Sequence, residues 1–333
     1  MQDKYKNKAM KICIIGSGRL GLTLACAIDG ADSDEASVVS VSSRTENSIG
    51  AAKEILANSS REILFTCDNL LAAQKANCIF ICTPDDEIEK ICHEIFGTSA
   101  AINIEDDGGV ITDSPKSLKE DKSIKNPSEL TVFHFSGSKK TNILDLAARA
   151  GASVACMHPL KSFASPTEAV KTLENTLYGI TYDRKDTRAK KNIDILLAIL
   201  KGRNIFVEND NKTLYHACAC IASNYLVSLM DFAADAGAEI GLDPHIFLSG
   251  LISLSEGTLI NIKKLGTKKA LTGPVARGDT STIREHVEKI NSLNRDDILE
   301  LYTFMGEKTA KIAFENTWIN VETYNELVKI FKK

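Results

Sequence analysis

The sequence lacks several features that would assign it to a class at once. It has no surplus of basic charge: 40 Lys and Arg stand against 44 Asp and Glu, a formal net charge of −4. Residues 1–150 hold 17 basic and 22 acidic residues, and residues 151–333 hold 23 and 22. Neither half offers the basic surface that sequence-independent nucleic-acid binding needs. No uninterrupted apolar run reaches the ~18 residues of a membrane span, so no membrane partner is expected. The basic start, Met1 to Lys11, is followed only by Ile12-Cys13-Ile14-Ile15. That run is too short for a signal peptide and meets glycine instead of a small-residue cleavage site. The nine cysteines are scattered, and Cys218-Ala219-Cys220 is not a CxxC pair. Reduced, buried thiols in a cytoplasmic protein are therefore expected. What remains is an ordinary globular composition, 44% hydrophobic and 25% charged. At ~150 residues per domain, the length suggests two domains.

Met10 to Ile15 reads as a short buried strand of a parallel sheet. Gly16-Ser17-Gly18-Arg19-Leu20-Gly21 follows as GxGxxG, and Leu20, Leu24 and Ile28 continue at helical spacing. In a dinucleotide site Gly16 permits the tight turn, Gly18 lets the backbone approach a pyrophosphate, and Gly21 lets helix and strand pack closely. The helix N-terminus supplies N–H groups and a positive dipole end. A second strand, Ala36 to Val41, ends in Ser42-Ser43-Arg44. NAD-binding units usually carry Asp or Glu here. Arg44 would instead pair with a 2′-phosphate and Ser43 would add a hydrogen bond, which predicts NADP(H) over NAD(H).

Glu62 to Thr66 and Asn77 to Cys82 read as further strands, the latter ending in Thr83-Pro84-Asp85-Asp86. Thr83 and Pro84 would lie near the nicotinamide ribose, and at least one of the two aspartates reads as an N-cap. Val110 to Ile111 is a short candidate strand, and residues 113–129 read as a charged surface excursion. Thr131 to Phe135 leads into Ser136-Gly137-Ser138, and Ser153 to Met157 into His158-Pro159. His134 and His158 thus follow apolar strands. Both are candidate substrate ligands, with Ser136 and Gly137 as sources of a hydroxyl and an N–H. Zinc held by His134, His158 and His216 is not demanded by the spacing, and no metal is expected.

The second half is mostly helical. Leu177 to Tyr182 and Arg203 to Val207 are strand-like, and a long apolar helix capped by Asp210 is predicted to about Gly237. An all-round apolar helix is buried in a core or an interface, so a homodimer is expected. Lys212 and His216 share one helix face at i,i+4, with Ser223 near it and Asn224 about 100° further round. A lysine and a histidine on one cleft are candidates to protonate a carbonyl oxygen as hydride arrives at carbon. In Thr272-Gly273-Pro274-Val275-Ala276-Arg277-Gly278-Asp279, Arg277 is a candidate ligand for a substrate carboxylate or phosphate.

Taken as a set, GSGRLG, TPDD, FHFSGS, MHPLKSF, KTLYHACACIASNYLVSL and LTGPVARGD carry a resemblance. Over about residues 9–290 the chain resembles the Rossmann-like NADP oxidoreductases whose C-terminal half is a domain of unknown function. These are relatives of ketopantoate reductase, pyrroline-5-carboxylate reductase, the 3-hydroxyacid dehydrogenases and the deazaflavin-dependent NADP reductases. The resemblance implies an α/β protein: an N-terminal Rossmann doubly wound parallel sheet, residues 9–165, followed by an all-helical C-terminal domain. Residues 166–207 would connect the two, and 208–333 would form the helical substrate and dimerisation domain. It implies hydride transfer between nicotinamide and a small carbonyl, imine or hydroxy acid. The 3-hydroxyacid dehydrogenases place a lysine, then an asparagine four residues on, at the position of Lys212 and His216. Here the lysine matches and the asparagine does not. His158-Pro159 is similar to a histidine-proline loop of prephenate dehydrogenases. The alternatives are a prephenate-type dehydrogenase, or a nucleotide-binding regulatory protein without redox turnover.

Overall fold

The computed structural model describes residues 9–31, 33–101 and 123–332. The candidate strand at Val110 to Ile111, and most of the excursion at residues 113–129, lie outside the described residues. Two compact units are present, one reaching Cys220 and the other starting at Ile221.

The first unit is an eight-stranded sheet. Its strands are β1 (Met10–Ile15), β2 (Ala36–Ser42), β3 (Leu64–Thr66), β4 (Cys78–Ile81), β5 (Thr131–His134), β6 (Ser153–Pro159), β7 (Leu177–Tyr182) and β8 (Arg203–Phe206). Their order is β3-β2-β1-β4-β5-β6-β7-β8. All neighbours run parallel except β6 and β7, which are antiparallel. Its helices are α1 (Arg19–Gly30), α2 (Glu46–Ile55), α3 (Asn69–Ala73), α4 (Ile88–Ala101), α5 (Asp145–Arg149), α6 (Pro166–Lys171), α7 (Thr187–Ile199) and α8 (Lys212–Ala222). The β7–α7–β8 segment thus extends the sheet itself.

Burial on both faces explains why the central strands are continuous apolar runs without alternation. Ile12 and Ile14 pack on one side with Leu24, Ile28 and Leu196. Cys13 and Ile15 pack on the other with Ile79, Ile81 and Phe96. The edges are blunted by their shortness: β3 has three residues and β8 has four. All nine cysteines are free.

Strand order reverses between β1 and its neighbours β2 and β4, which opens a crevice at the carboxyl ends of these strands. The glycine turn sits there. Gly16 has φ +100°, and a Cβ on it would stand 2.9 Å from the Cys82 carbonyl. A Cβ on Gly21 would stand 2.1 Å from the Gly16 oxygen. A Cβ on Gly18 would meet nothing within 4 Å. The first and third glycines are therefore required by the fold, and the second only by what the crevice holds.

The second unit is helical: α9 (Asn224–Ala238), α10 (Pro244–Lys269), α11 (Pro274–Arg277), α12 (Thr280–Asn291), α13 (Asp296–Glu315) and α14 (Val321–Phe331). Val275, Ile283, Ala310, Leu327 and Phe331 form its core. The single long helix expected from Asp210 is broken at Ser223 (φ −117°, ψ −62°), which separates α8 from α9. Asp210 does not cap it. It lies in a short 3₁₀ turn and pairs with Lys140 at 2.6 Å. The Gly-Pro segment before Asp279 is the short helix α11, not an open loop, and Asp279 caps α12 by accepting from the Thr282 N–H.

Among the described residues, two helical stretches are long and apolar enough to cross a membrane by length and composition, Asn209–Ala238 (mean hydropathy 1.4) and Pro244–Arg277 (mean hydropathy 1.2). The expectation of no span rested on uninterrupted apolar runs, which overlook such windows with scattered polar residues. Neither most-apolar window is buried within the chain.

Gly21→Ala should lower the unfolding temperature, because overpacking against backbone costs about 1–3 kcal/mol or more. Gly18→Ala should leave stability within about 0.5 kcal/mol of the parent. Thermal unfolding of the two variants checks this, and equal destabilisation would contradict it.

Candidate active site

The crevice is a cleft of about 560 Å³, lined among others by Ser17, Gly18, Ser43, Arg44, Thr83 and Pro84. The N-terminus of α1 at its base has Gly18 as N-cap, with no side chain hydrogen-bonded to the free N–H groups. Arg19 and Leu20 contribute backbone there, while the Leu20 side chain packs on the core. Arg44 is exposed, directly before Thr45, the N-cap of α2. A guanidinium and a second helix N-terminus thus meet where β2 ends. The Thr83 hydroxyl is buried without a hydrogen-bond partner. An open Gly18, an uncapped helix terminus and an orphaned hydroxyl fit a dinucleotide lying from Arg44 past Gly18 to Thr83.

A second cluster forms beyond β4, where β5, β6 and α8 converge. Lys212, the first residue of α8, is 1% exposed. Its Nζ donates to the Ser136 carbonyl at 3.1 Å and to the Cys156 sulfur at 2.9 Å. The Cys156 thiol donates to the same carbonyl at 3.2 Å. The Ser136 hydroxyl donates to Asp85 at 2.7 Å and accepts from the Lys139 N–H at 3.0 Å. Ser138 reaches the same Asp85 oxygen at 3.1 Å. His158 Nδ1 lies 3.1 Å from the Tyr215 hydroxyl. The His158 and His216 rings sit edge to face, 5.7 Å between centroids.

Gly137 closes this arrangement. A Cβ there would stand 2.4 Å from His216 Nδ1 and 2.9 Å from His158 Nε2. Both rings therefore abut the backbone of the Ser136–Ser138 turn. His216 Nδ1 is buried without a partner, and Nε2 lies 3.8 Å from the Cys220 sulfur.

The electrostatics follow from burial beside a lysine. His134 is pushed from 6.5 down to about 3, chiefly by burial, then by the Lys212 charge. His158 is pushed down to about 4 for the same reasons, with His216 adding to the effect. Burial raises the Cys156 thiol although Lys212 opposes the shift. Burial also pushes Tyr215 up to about 12. Both shifted histidines are neutral at physiological pH.

The structure brings His134, Ser136, His158, Lys212 and His216 together, and it gives three of them contacts that build the Ser136–Ser138 turn. His134 is fully buried and its Nδ1 accepts from the Ser136 N–H at 3.3 Å, so it supports the turn, while its Nε2 is buried without a hydrogen-bond partner. Ser136 has its hydroxyl committed to Asp85, so it builds the turn too. Lys212 donates to Ser136 and Cys156 inside the protein, so it positions the turn. Asn224 opens α9 and Arg277 ends α11, both in the second unit. Asp85, Cys156 and Tyr215 were missed. The cap expected of at least one aspartate in TPDD leaves the other free, and the Asp85 carboxylate anchors the turn after β5. The doubled aspartate in TPDD was the signal, since one cap needs one carboxylate. Among the described residues no group of His, Cys, Asp and Glu could hold a metal ion.

Residues 11–104 match the family model described as NADP oxidoreductase, coenzyme F420-dependent, and residues 177–309 match a domain of unknown function, DUF2520. No curated protein matches the sequence. Among solved structures, a candidate NADP oxidoreductase from Bacteroides fragilis aligns with TM-score 0.64 and 18% identity, covering 91% of this chain and 98% of that one. A Thermotoga maritima protein aligns with TM-score 0.60 and 18% identity, covering 97% and 100%. Pyrroline carboxylate reductase of Plasmodium falciparum, solved with NADP bound, aligns with TM-score 0.54 and 12% identity, covering 91% and 98%. At these identities the likeness establishes the fold.

The depressed histidines give a pH prediction. A base whose folded pKa lies below its unfolded value is neutral in the native state and charges on unfolding. Its stabilising effect is complete above pH 6.5 and is lost as the pH falls toward about 4 for His158 and about 3 for His134. When complete, the expected loss is about 5 kcal/mol for His134 and about 3 kcal/mol for His158. Urea unfolding between pH 7 and 4 checks it. His158→Gln should flatten the slope, and an unchanged slope would contradict the assignment.

Proposed function

We propose that the chain is an NADP(H)-dependent oxidoreductase acting in the cytoplasm on a small carbonyl, imine or hydroxy acid. The observation that carries this reading is the cleft itself: a glycine turn that leaves Gly18 open, with Arg44 in place of a carboxylate at the end of β2. Arg44 and the α2 N-terminus hold a 2′-phosphate, Ser43 adds a hydrogen bond, and the α1 N-terminus holds the pyrophosphate. Thr83 and Pro84 border the ribose beside nicotinamide. The cofactor, when bound, supplies the hydride.

The chain's own residues do the rest. Lys212 and Asp85 hold the Ser136–Ser138 turn from two sides. Gly137 leaves room for His158 and His216 against that turn. His158, neutral and tethered to Tyr215, orients the substrate's oxygen or nitrogen. His216, with Nδ1 unpartnered, exchanges the proton that accompanies hydride transfer. The regulatory alternative predicts NADPH binding with no oxidation across a panel of carbonyls and imines, and turnover on that panel excludes it.

NADPH should protect the full chain against thermal unfolding by about 2.7 kcal/mol at a hundredfold excess over Kd. Arg44→Glu should weaken NADPH roughly tenfold to a hundredfold and leave NADH little changed, because hydrogen bonds to a charged group contribute about 1.5–3 kcal/mol. Calorimetric titration of both cofactors checks this. Equal loss of both, or no protection by NADPH, would contradict it.

We also propose that a second copy covers the apolar helices. Val227 is 71% exposed, Ile246 74% and Leu254 69%, an apolar surface that a lone soluble chain rarely leaves open. Light scattering should give a dimer, converted to monomer by Val227→Lys with Leu254→Lys. A concentration-independent monomer, or a chain that stays dispersed only in detergent, would contradict this.

A further inference from the structure

The Lys212–Cys156 contact has chemistry beyond hydrogen bonding. An amine nitrogen and a thiol sulfur 2.9 Å apart, both almost wholly buried, are separated by little more than the span of one bridging oxygen. Their geometry is fixed from both sides. Cys156 lies within β6 and Lys212 opens α8, so neither backbone swings freely. The Ser136 carbonyl holds both groups at once. No other cysteine lies at hydrogen-bond distance from Cys156 among the described residues, so the pair is not competing with a disulfide. Lys212 likewise makes no ion pair with a carboxylate among the described residues.

We propose that Cys156 and Lys212 are a covalent modification site, at which dioxygen joins sulfur to nitrogen through one oxygen atom. The lysine ammonium and the thiol react with dioxygen to give Lys–NH–O–S–Cys, one water and one proton. The N–O and O–S bonds form, and an N–H and the S–H bond are lost along with the ammonium proton. Sulfur and nitrogen each give up two electrons, and dioxygen takes all four. Dioxygen is small and apolar enough to enter a site that excludes larger oxidants. Thiol reductants return the amine, the thiol and water.

The link would act on the site directly. A nitrogen bearing oxygen is far less basic than an amine, so the buried positive charge disappears. Ser136 loses its charged donor, and His134 and His158 lose a neighbour that helps hold them neutral. The bond itself ties β6 to α8. The existence of the modification stands independently of the proposed oxidoreductase function. Its effect on turnover rests on that reading.

The test uses the full chain, purified without oxygen and then held in air-saturated buffer. Tryptic digestion under non-reducing conditions is followed by mass spectrometry. The expected product is a Cys156 peptide joined to a Lys212 peptide, heavier than their sum by one oxygen less two hydrogens, uncleaved at Lys212 and resolved by dithiothreitol. It should be absent from anaerobic protein, from Cys156→Ser and from Lys212→Arg, and should persist in Cys220→Ser. Cys156 recovered as a free thiol, as a sulfinic or sulfonic acid, or in a disulfide, with no such pair, overturns the proposal. Because the decisive readout is the parent protein, a variant that fails to fold does not blunt the test. If the pair forms but NADPH oxidation is absent in both redox states, the functional reading fails and the modification site stands.

Discussion

A buried ammonium organises the first unit. Taking a lysine out of water costs several kcal/mol unless its hydrogen bonds are replaced, and Lys212 replaces them with neutral acceptors, the Ser136 carbonyl and the Cys156 sulfur. Nothing in that arrangement neutralises the charge. The surroundings therefore carry its consequences. The charge adds to burial, the larger cause, in keeping His134 and His158 unprotonated, and the Ser136–Ser138 turn is held where Gly137 meets two imidazoles. The Asp85 carboxylate completes the frame from the opposite side by accepting the Ser136 and Ser138 hydroxyls.

This frame connects the two parts of the cleft. Asp85 follows Thr83 and Pro84, which border the nucleotide crevice, and it grips the turn against which His158 and His216 pack. The end of β4, the end of β5 and the start of α8 are thus fixed to one another by charged hydrogen bonds, buried at Lys212 and solvent-exposed at Asp85. Such preorganisation is what a transition state with developing charge requires.

The nucleotide half was legible because its signals are local. A buried strand, a glycine turn and a helix appear consecutively in Met10 to Ile28, and Arg44 announces itself at the end of the next strand. The second cluster was legible only in part. His134, His158, Lys212 and His216 were readable as polar residues at element ends, but their roles depend on exposure. Periodicity does not say that Lys212 points into the protein. Tyr215 and Cys156 were invisible because each acts through a partner more than fifty residues away. The reversed direction of β7 and the break at Ser223 were also hidden, since both are set by tertiary packing and not by propensity.

The central claim is that the Arg44-to-Thr83 crevice and the Lys212-ordered turn form one site, with nicotinamide delivered between them. A crystal structure of the full chain with NADP⁺ tests this most directly. The account predicts the 2′-phosphate on Arg44, the pyrophosphate over Gly18, and nicotinamide C4 facing the His158–His216 pair. A nicotinamide ring directed away from Gly137, or a nucleotide bound outside the glycine turn, would contradict it.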